Sequence, residues 1–177
     1  MRLLLHRLPS PVGVLRLATL ETRLAALDYF DCESRFQTLL KKRFPQAAHK
    51  ESRIPAPIRD ALGSYFAGDE SGLRALSLEQ RGTEFEERVW AALRTVPFGE
   101  TASYGVIAKQ IGLPKAARAV GRANSLNPIA IITPCHRIIG SSGALTGYAG
   151  CLWRKKWLLQ HEAANNSEPI ETRNHTR

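Results

Sequence analysis

Ser103-Tyr104-Gly105-Val106-Ile107-Ala108-Lys109-Gln110-Ile111-Gly112-Leu113-Pro114-Lys115-Ala116-Ala117-Arg118-Ala119-Val120-Gly121-Arg122-Ala123-Asn124-Ser125-Leu126 is the stretch on which the fold turns. Ser103 is a good N-cap and opens a short helix, Tyr104 to Ile111. Gly112-Leu113-Pro114 makes a tight turn, and a second helix follows from Lys115 to Leu126. Helix, glycine-containing turn and basic helix form a helix-turn-helix outline. Many purely structural helix pairs share it, so charge carries the next step. The chain has 177 residues and a formal net charge of +9. No Asp or Glu occurs between Thr101 and His161, yet Lys109, Lys115, Arg118, Arg122, Arg137, Arg154, Lys155 and Lys156 all fall there. A solvated surface ordinarily mixes signs, so a one-sign stretch points to a polyanion partner.

Beyond the second helix, Asn127-Pro128 favours a turn, and residues 129–139 read as strand or extended chain. They contain Ile132-Thr133-Pro134-Cys135-His136-Arg137-Ile138-Ile139. The thiolate is the reactive form of cysteine; neighbouring positive charge lowers its pKa, and a nearby base can take its proton. With an imidazole and a guanidinium following it, Cys135 reads as an activated nucleophile. Successive strand residues face opposite ways, so Cys135 and His136 cooperate only if the backbone turns, which Pro134 makes feasible. The competing reading is a buried structural cysteine, a common fate of free thiols. Leu152 to Glu162 forms a last helix, and residues 163–177 are polar.

Upstream, Thr83-Glu84-Phe85-Glu86 fits a capping box. Phe85, Val89, Ala92 and Leu93 then repeat on one helix face, which Pro97-Phe98-Gly99 ends. The first part of the chain is patterned differently. Leu3-Leu4-Leu5, Val12 to Leu17 and Leu24 to Phe30 are candidate strands, separated by Pro9-Ser10-Pro11 and Glu21-Thr22. Ser34 caps a helix through Arg43, Pro45 to Pro57 reads as a loop, and Ile58 to Phe66 is a helix closed by Gly68. Residues 67–82 have the polar, glycine-containing character of a linker. The expected class is α+β. A small α/β domain with a short antiparallel sheet occupies residues 1–80 as structural support. A mostly helical, winged-helix-like domain carrying the helix-turn-helix occupies 81–163, and a flexible tail 164–177.

Hydrophobic content of 44% is ordinary for a globular protein, and no apolar run is long enough to span a bilayer. Cys32, Cys135 and Cys151 are too few and too scattered for a disulfide framework or a Cys-x-x-Cys metal site. A reducing, cytoplasmic setting follows.

Residues 134–139 match in full the pattern Pro-Cys-His-Arg plus an aliphatic pair. The octapeptide thus resembles the active-site signature of the O6-alkylguanine-DNA alkyltransferases, the methylated-DNA–protein-cysteine methyltransferases, of the bacterial single-chain type. The resemblance runs from Thr83 to Glu162. It passes through Pro97-Phe98-Gly99-Glu100-Thr101, Ser103-Tyr104-Gly105, Ala117-Arg118-Ala119-Val120-Gly121, Asn127-Pro128, Ser142-Gly143, Gly147-Tyr148 and Trp157-Leu158-Leu159. The first 80 residues match only in general layout.

What the resemblance implies is direct-reversal DNA repair. A damaged base is flipped from the duplex. Its alkyl group, from O6-alkylguanine or O4-alkylthymine, passes irreversibly to Cys135, once per molecule. By the same resemblance Glu162 orients His136, His136 takes the thiol proton through a water, and Cys135 attacks. Tyr104 stands at the flipped nucleotide, as hydrogen-bond donor near guanine N3 or contact to the 3′ phosphate, and Asn127 is a hinge. Arg118 enters the stack from the minor groove. Ala119 allows close approach, and Lys115 and Ser125 belong to the DNA-facing set, to which Arg122, standing where the family has a small residue, would add a phosphate contact. Tyr148, Ile138, Ala149 and Pro134 belong to the substrate pocket. The implied partner is double-stranded DNA containing O6-alkylguanine. No cofactor and no membrane are implied, and the protein is expected to be a monomer able to bind DNA cooperatively.

Several positions depart from the family pattern. Cys151 stands where a second glycine is usual, and its Cβ would restrict φ. Ala149 and Ala130 replace a serine and a proline of some relatives, which would open the pocket to larger alkyl groups. Some relatives hold zinc in the N-terminal domain. That region here offers only Cys32, His6 and His49, so no zinc is expected. Two other readings stand beside repair: a DNA-binding alkylation sensor or regulator, and a thiol hydrolase using Cys135 and His136.

Overall fold

Alternating leucines build the first half. Leu3 and Leu5, Leu15 and Leu17, and Leu24 and Leu27 are buried along β1 (Arg2–Leu8), β2 (Leu15–Leu20) and β3 (Arg23–Tyr29). The computed structural model describes residues 1–166. It pairs the three strands as an antiparallel meander, with Leu3 opposite Leu20 and Leu17 opposite Leu27. The second strand starts at Leu15, not Val12. Ser10 to Gly13 close a tight turn, Gly13 N–H donating to Ser10 O at 3.1 Å, and Val12 is buried from that turn. A fourth strand, β4 (Ala48–Glu51), lies parallel to β1 and gives the order β3-β2-β1-β4. The sheet is therefore mixed, and the stretch read as a loop contains a strand. All four β4 side chains are exposed, so no apolar alternation announces it. The open edge of β1 recruits it, and charged side chains suit an edge.

Period-two alternation sends the two faces of the sheet to different partners. On one face Phe36 and Leu40 of α1 (Glu33–Arg43), with Phe44, cover Leu3, Leu5 and Ala18. On the other, Leu17, Leu27 and Tyr29 meet Leu62 and Tyr65 of α2 (Ala56–Phe66), together with Ile129 and Leu158 from the second half. Residues 67–82 are packed rather than an open linker. They form α3 (Ser71–Arg74), bury Leu73 and close the outer edge of β3, Leu24 N–H donating to Ser77 O at 2.9 Å and Glu79 N–H to Leu24 O at 2.8 Å. Farther along that edge Leu27 N–H donates to Pro128 O and Ala130 N–H to Leu27 O, each at 2.9 Å. An edge strand carries backbone groups that must find partners; here the second half of the chain supplies them.

That half is helical. The Thr83–Glu86 capping box is formed and starts α4 (Glu84–Leu93). Ser103 Oγ accepts from Val106 N–H and caps α5 (Tyr104–Gln110). α6 (Ala117–Ser125) begins later than expected, because Lys115 and Ala116 belong to the turn. Trp90 pins α4 to α6, its indole N–H donating to Ala123 O at 2.9 Å. Two short parallel strands, β5 (Ala102–Ser103) and β6 (Ile138–Ile139), flank the segment bearing Cys135. α7 (Leu152–Asn165) runs past the expected end at Glu162, into the region read as a tail; residues 167–177 of that tail lie outside the described residues. Among the described residues no helix is long and apolar enough to cross a membrane.

Cys151, just before α7, has φ 75° and ψ 141°, a region that is nearly glycine-only. Cys151→Gly relieves that strain, less the greater chain entropy of glycine when unfolded. The expected net gain is about 1 kcal/mol, a Tm rise of about 2–4 °C by calorimetry. An unchanged or lower Tm would mean the position holds no strain.

Candidate active site

Pro134 at φ −81°, ψ 65° turns the chain into a single 3-10 turn, Cys135–Arg137. Asn127 holds that loop closed: its Nδ2 donates to Thr133 O at 2.8 Å, and its Oδ1 accepts from Ile129 N–H and from Gln80 Nε2, each at 3.0 Å. Asn124 Nδ2 reaches Cys135 O at 3.4 Å. Cys135 is 6% exposed. Burial pushes its thiol above the ordinary cysteine range. The Asn127 amide, Arg35 and Lys155 pull the other way without offsetting it. The expected lowering by an adjacent Arg137 does not occur, because that guanidinium points elsewhere. A thiol held neutral needs a base.

Arg137 turns to Glu162. Its Nε donates to Glu162 Oε2 at 2.8 Å, its Nη1 to Val96 O at 2.7 Å and its Nη2 to Glu70 Oε2 at 2.8 Å. His136 Nε2 lies 2.6 Å from Glu162 Oε1, and both side chains are fully buried. Burial alone would raise the Glu162 carboxyl, but His136 and Arg137 outweigh it and hold it well below the usual carboxylate range. An ionised carboxylate only accepts, so Nε2 carries the imidazole hydrogen. Nδ1 has no hydrogen-bond partner among the described residues. Burial keeps His136 below its ordinary pKa despite Glu162, so the ring is neutral with Nδ1 free to accept a proton.

Cys135 opens onto a cavity of about 160 Å³. Tyr148 forms one wall, its hydroxyl 2.8 Å from that of Tyr29, with the rings edge to face. Gly150 permits this, since a Cβ there would run into the Tyr29 ring. Tyr104 and Gly121, Asn124 and Ser125 of α6 form another wall. Asp28 and Arg35 close the cavity from the first half, paired with each other, and Arg35 also donates to Ser125 O at 2.8 Å and Asn127 O at 3.1 Å.

Residues 84–164 match the family model described as 6-O-methylguanine DNA methyltransferase, DNA binding domain. The methylated-DNA–protein-cysteine methyltransferase of Salmonella typhimurium is 42% identical over 165 residues, covering 92% of this chain and 96% of that one. The chain belongs to the methylated-DNA–protein-cysteine methyltransferase family. The Mycolicibacterium paratuberculosis protein of the same name is 50% identical over 153 residues, covering 86% and 88%. Among solved structures, Mycobacterium tuberculosis OGT in complex with DNA superposes with a TM-score of 0.76 at 44% identity, covering 92% of this chain and 94% of that one.

Seen as a methyltransferase, the chain distributes its expected site residues unevenly. Cys135, Tyr104, Ser125, Asn127, Tyr148 and Ala149 line the cavity, as does Ala130. His136 and Glu162 are fully buried and do not line it. Lys115, Arg118, Ala119 and Arg122 are exposed on α6 and the turn before it. Two expected pocket residues are not in it. Ile138 is packed in the helical core, and its carbonyl accepts from Lys155 Nζ at 2.5 Å. Pro134 lines a separate cavity with Arg94 and Glu70. The basic stretch also divides. Arg137, Arg154 and Lys155 are buried, while Lys109, Lys115, Arg118, Arg122 and Lys156 remain exposed. His6 directs its ring nitrogens to Thr19 Oγ1 and Ser52 O at 2.9 and 3.1 Å. Sequence reasoning missed Asp28, Tyr29, Arg35, Tyr65 and Asn124. No local signal marks them, since each reads as an ordinary strand or helix residue.

Glu162→Gln leaves Arg137 short of its main partner, and breaking a buried pair in this way costs about 3–5 kcal/mol by chemical denaturation at neutral pH. A depressed carboxylate contributes stability that is full above its unfolded pKa and lost as pH falls through the folded one. The difference from the parent protein therefore narrows below about pH 4.3. A gap that is constant down to strong acid would refute the pairing.

Proposed function

We propose that this protein repairs DNA by direct reversal, moving the alkyl group of O6-alkylguanine, or of O4-alkylthymine, onto Cys135 in one irreversible turnover. The carrying observation is a single thiol at the wall of a cavity of about 160 Å³, followed in the same turn by an imidazole that is paired with a buried carboxylate. The arrangement is that of a nucleophile, a base and an orienting group.

His136 Nδ1 takes the Cys135 proton, relayed by one water, while Glu162 holds Nε2–H. The S–C bond forms as the C–O6 bond breaks. The electron pair returns to the purine, which takes up a proton and leaves as restored guanine. Tyr104 stands at the cavity wall as the donor toward guanine N3, relieving charge as it develops. Water does not displace a thiolate from an alkyl carbon, so the thioether persists and the protein is consumed.

On α6, Arg118 lies one and two turns before Gly121 and Ser125, at helical spacings that share a face, and those two residues line the cavity. That placement supports Arg118 as the side chain that fills the space left by the flipped base, from the minor groove. The small residues Ala119 and Gly121 allow close approach, and Lys115 and Arg122 meet phosphates. Asn127 is the hinge between α6 and the reactive turn, Tyr148 and Ala149 meet the base, and residues 1–80 support residues 81–163. The protein acts as a monomer in the cytoplasm, where a free thiol persists.

The deciding experiment mixes the protein with a duplex carrying one O6-methylguanine and takes peptide masses. One added methyl on the Cys135 peptide, with the lesion erased and no second turnover, is the expected result. DNA bound with Cys135 unmodified would point instead to a sensor, and repeated product release to a hydrolase. Arg118→Ala tests flipping separately. Transfer from duplex should slow about tenfold or more, because flipping costs a few kcal/mol, while transfer from free O6-benzylguanine stays near the parent rate. Equal losses on both substrates would remove Arg118 from the flipping step.

A further inference from the structure

We propose that Tyr65, from the first half of the chain, is a positioning residue for alkyl transfer: its hydroxyl fixes the Glu162 carboxylate that holds His136. The inference rests on the alkyl-transfer reading above.

Tyr65 is fully buried in α2. Its hydroxyl donates to Glu162 Oε1 at 2.7 Å, the same oxygen that accepts from His136 Nε2 at 2.6 Å. Arg137 Nη2 also reaches Oε1, at 3.1 Å, and the other oxygen accepts from Arg137 Nε at 2.8 Å and Gly99 N–H at 3.2 Å. A carboxylate offers about four acceptor positions, and these five contacts saturate them, with the Tyr65 hydroxyl and the His136 imidazole the two shortest. The torsion of the carboxylate, and with it the tilt of the imidazole, is set by all of them together. Tyr65 is the donor that reaches this group from outside the reactive turn and its neighbours in the second half.

Packing alone does not account for a hydroxyl here. The Tyr65 ring sits edge-on to Phe66, Phe98 and His161, at 5.2, 6.0 and 5.5 Å between centroids. A phenylalanine would fill that space, and a buried hydroxyl costs free energy unless it is hydrogen-bonded. The phenol also stays a donor. Burial, and then the charge of Glu162, push its pKa well above the tyrosine range.

The hydroxyl draws negative charge from Oε1. Without it, Oε1 binds the imidazole N–H more strongly and favours the imidazolium, so the neutral ring that accepts the thiol proton is lost at higher pH. The charged and titratable groups around this site are Arg137 and Cys135 in the reactive turn, Glu70 through Arg137, Tyr29 on β3, and Lys155 and His161 on α7. His161 Nε2 holds the Tyr65 backbone carbonyl at 2.8 Å, a contact that Tyr65→Phe keeps.

The test measures single-turnover methyl transfer from saturating O6-methylguanine duplex against pH, for the parent protein, Tyr65→Phe and Phe66→Leu. Tyr65→Phe should slow transfer about tenfold, a small part of what a general base supplies. It should also move the acid limb up by about one pH unit, the equivalent of one hydrogen bond to a charged group. Phe66→Leu disturbs the same aromatic cluster without touching the carboxylate, and should lower Tm while leaving the acid limb in place. Tyr65→Phe matching the parent in rate and acid limb, or both variants moving the limb alike, would overturn the inference. A parent protein that never alkylates Cys135 would instead overturn the alkyl-transfer reading itself.

Discussion

The fold is organised around one buried carboxylate. Glu162 is shut away from water, and a buried charge persists only when it is paired and hydrogen-bonded. Its donors come from α2, from the turn at Gly99, and from His136 and Arg137. Displacing any of these segments leaves part of the charge unsatisfied. The reactive turn is therefore held by an electrostatic requirement of the whole chain as well as by its own sequence. The same constraint separates the roles of two adjacent residues. Arg137 neutralises the carboxylate, so His136 can remain neutral beside it. Cys135, lacking a cation of its own in that turn, keeps its proton until a base removes it.

A second constraint is the outer edge of β3. Residues 77–79 and 128–130 complete its hydrogen bonds, and this brings Asp28, Tyr29 and Arg35 to a cavity otherwise made by Tyr104, α6, the segment from Asn127 to Cys135 and the loop before α7. Arg35 ties the end of α6 to Asp28, and Tyr29 sets Tyr148 through paired hydroxyls. Arg154 then clamps the loop: it donates to Val12 O at 2.8 Å and Gly150 O at 3.2 Å, and pairs with Asp31 at 2.8 Å. Lys155, fully buried, donates to Ile138 O and Thr146 O. These cations lie in the acid-free stretch, but they serve internal carbonyls and carboxylates. The charge left for a polyanion is concentrated on and around α5 and α6.

Periodicity and capping are short-range physics, and they were readable along the chain. Thr83 and Glu86 cap α4, Ser103 caps α5, and Gly112 turns the chain between two helices as their spacing indicates. Asn127-Pro128 marks the bend, and Cys135 with His136 marks the chemistry. Cys151 stands out only through the family resemblance, as a side chain where a second glycine is usual, and its φ is 75°. The α+β class and the membership of the family follow from such features.

Features that depend on residues distant in the chain were not readable. β4 has no apolar pattern and exists because β1 has an open edge. Residues 67–82 have the composition of a linker, yet an unpaired strand edge binds them. Arg137, beside Cys135 in sequence, belongs in space to Glu162, since a guanidinium excluded from water goes to the nearest buried anion. Tyr29, Arg35 and Tyr65 carry no mark of the site they reach. Local sequence determined which helices, turns and reactive groups the chain contains. Long-range satisfaction of buried charge and backbone polar groups determined which of them meet, because that free energy exists only once the chain has folded.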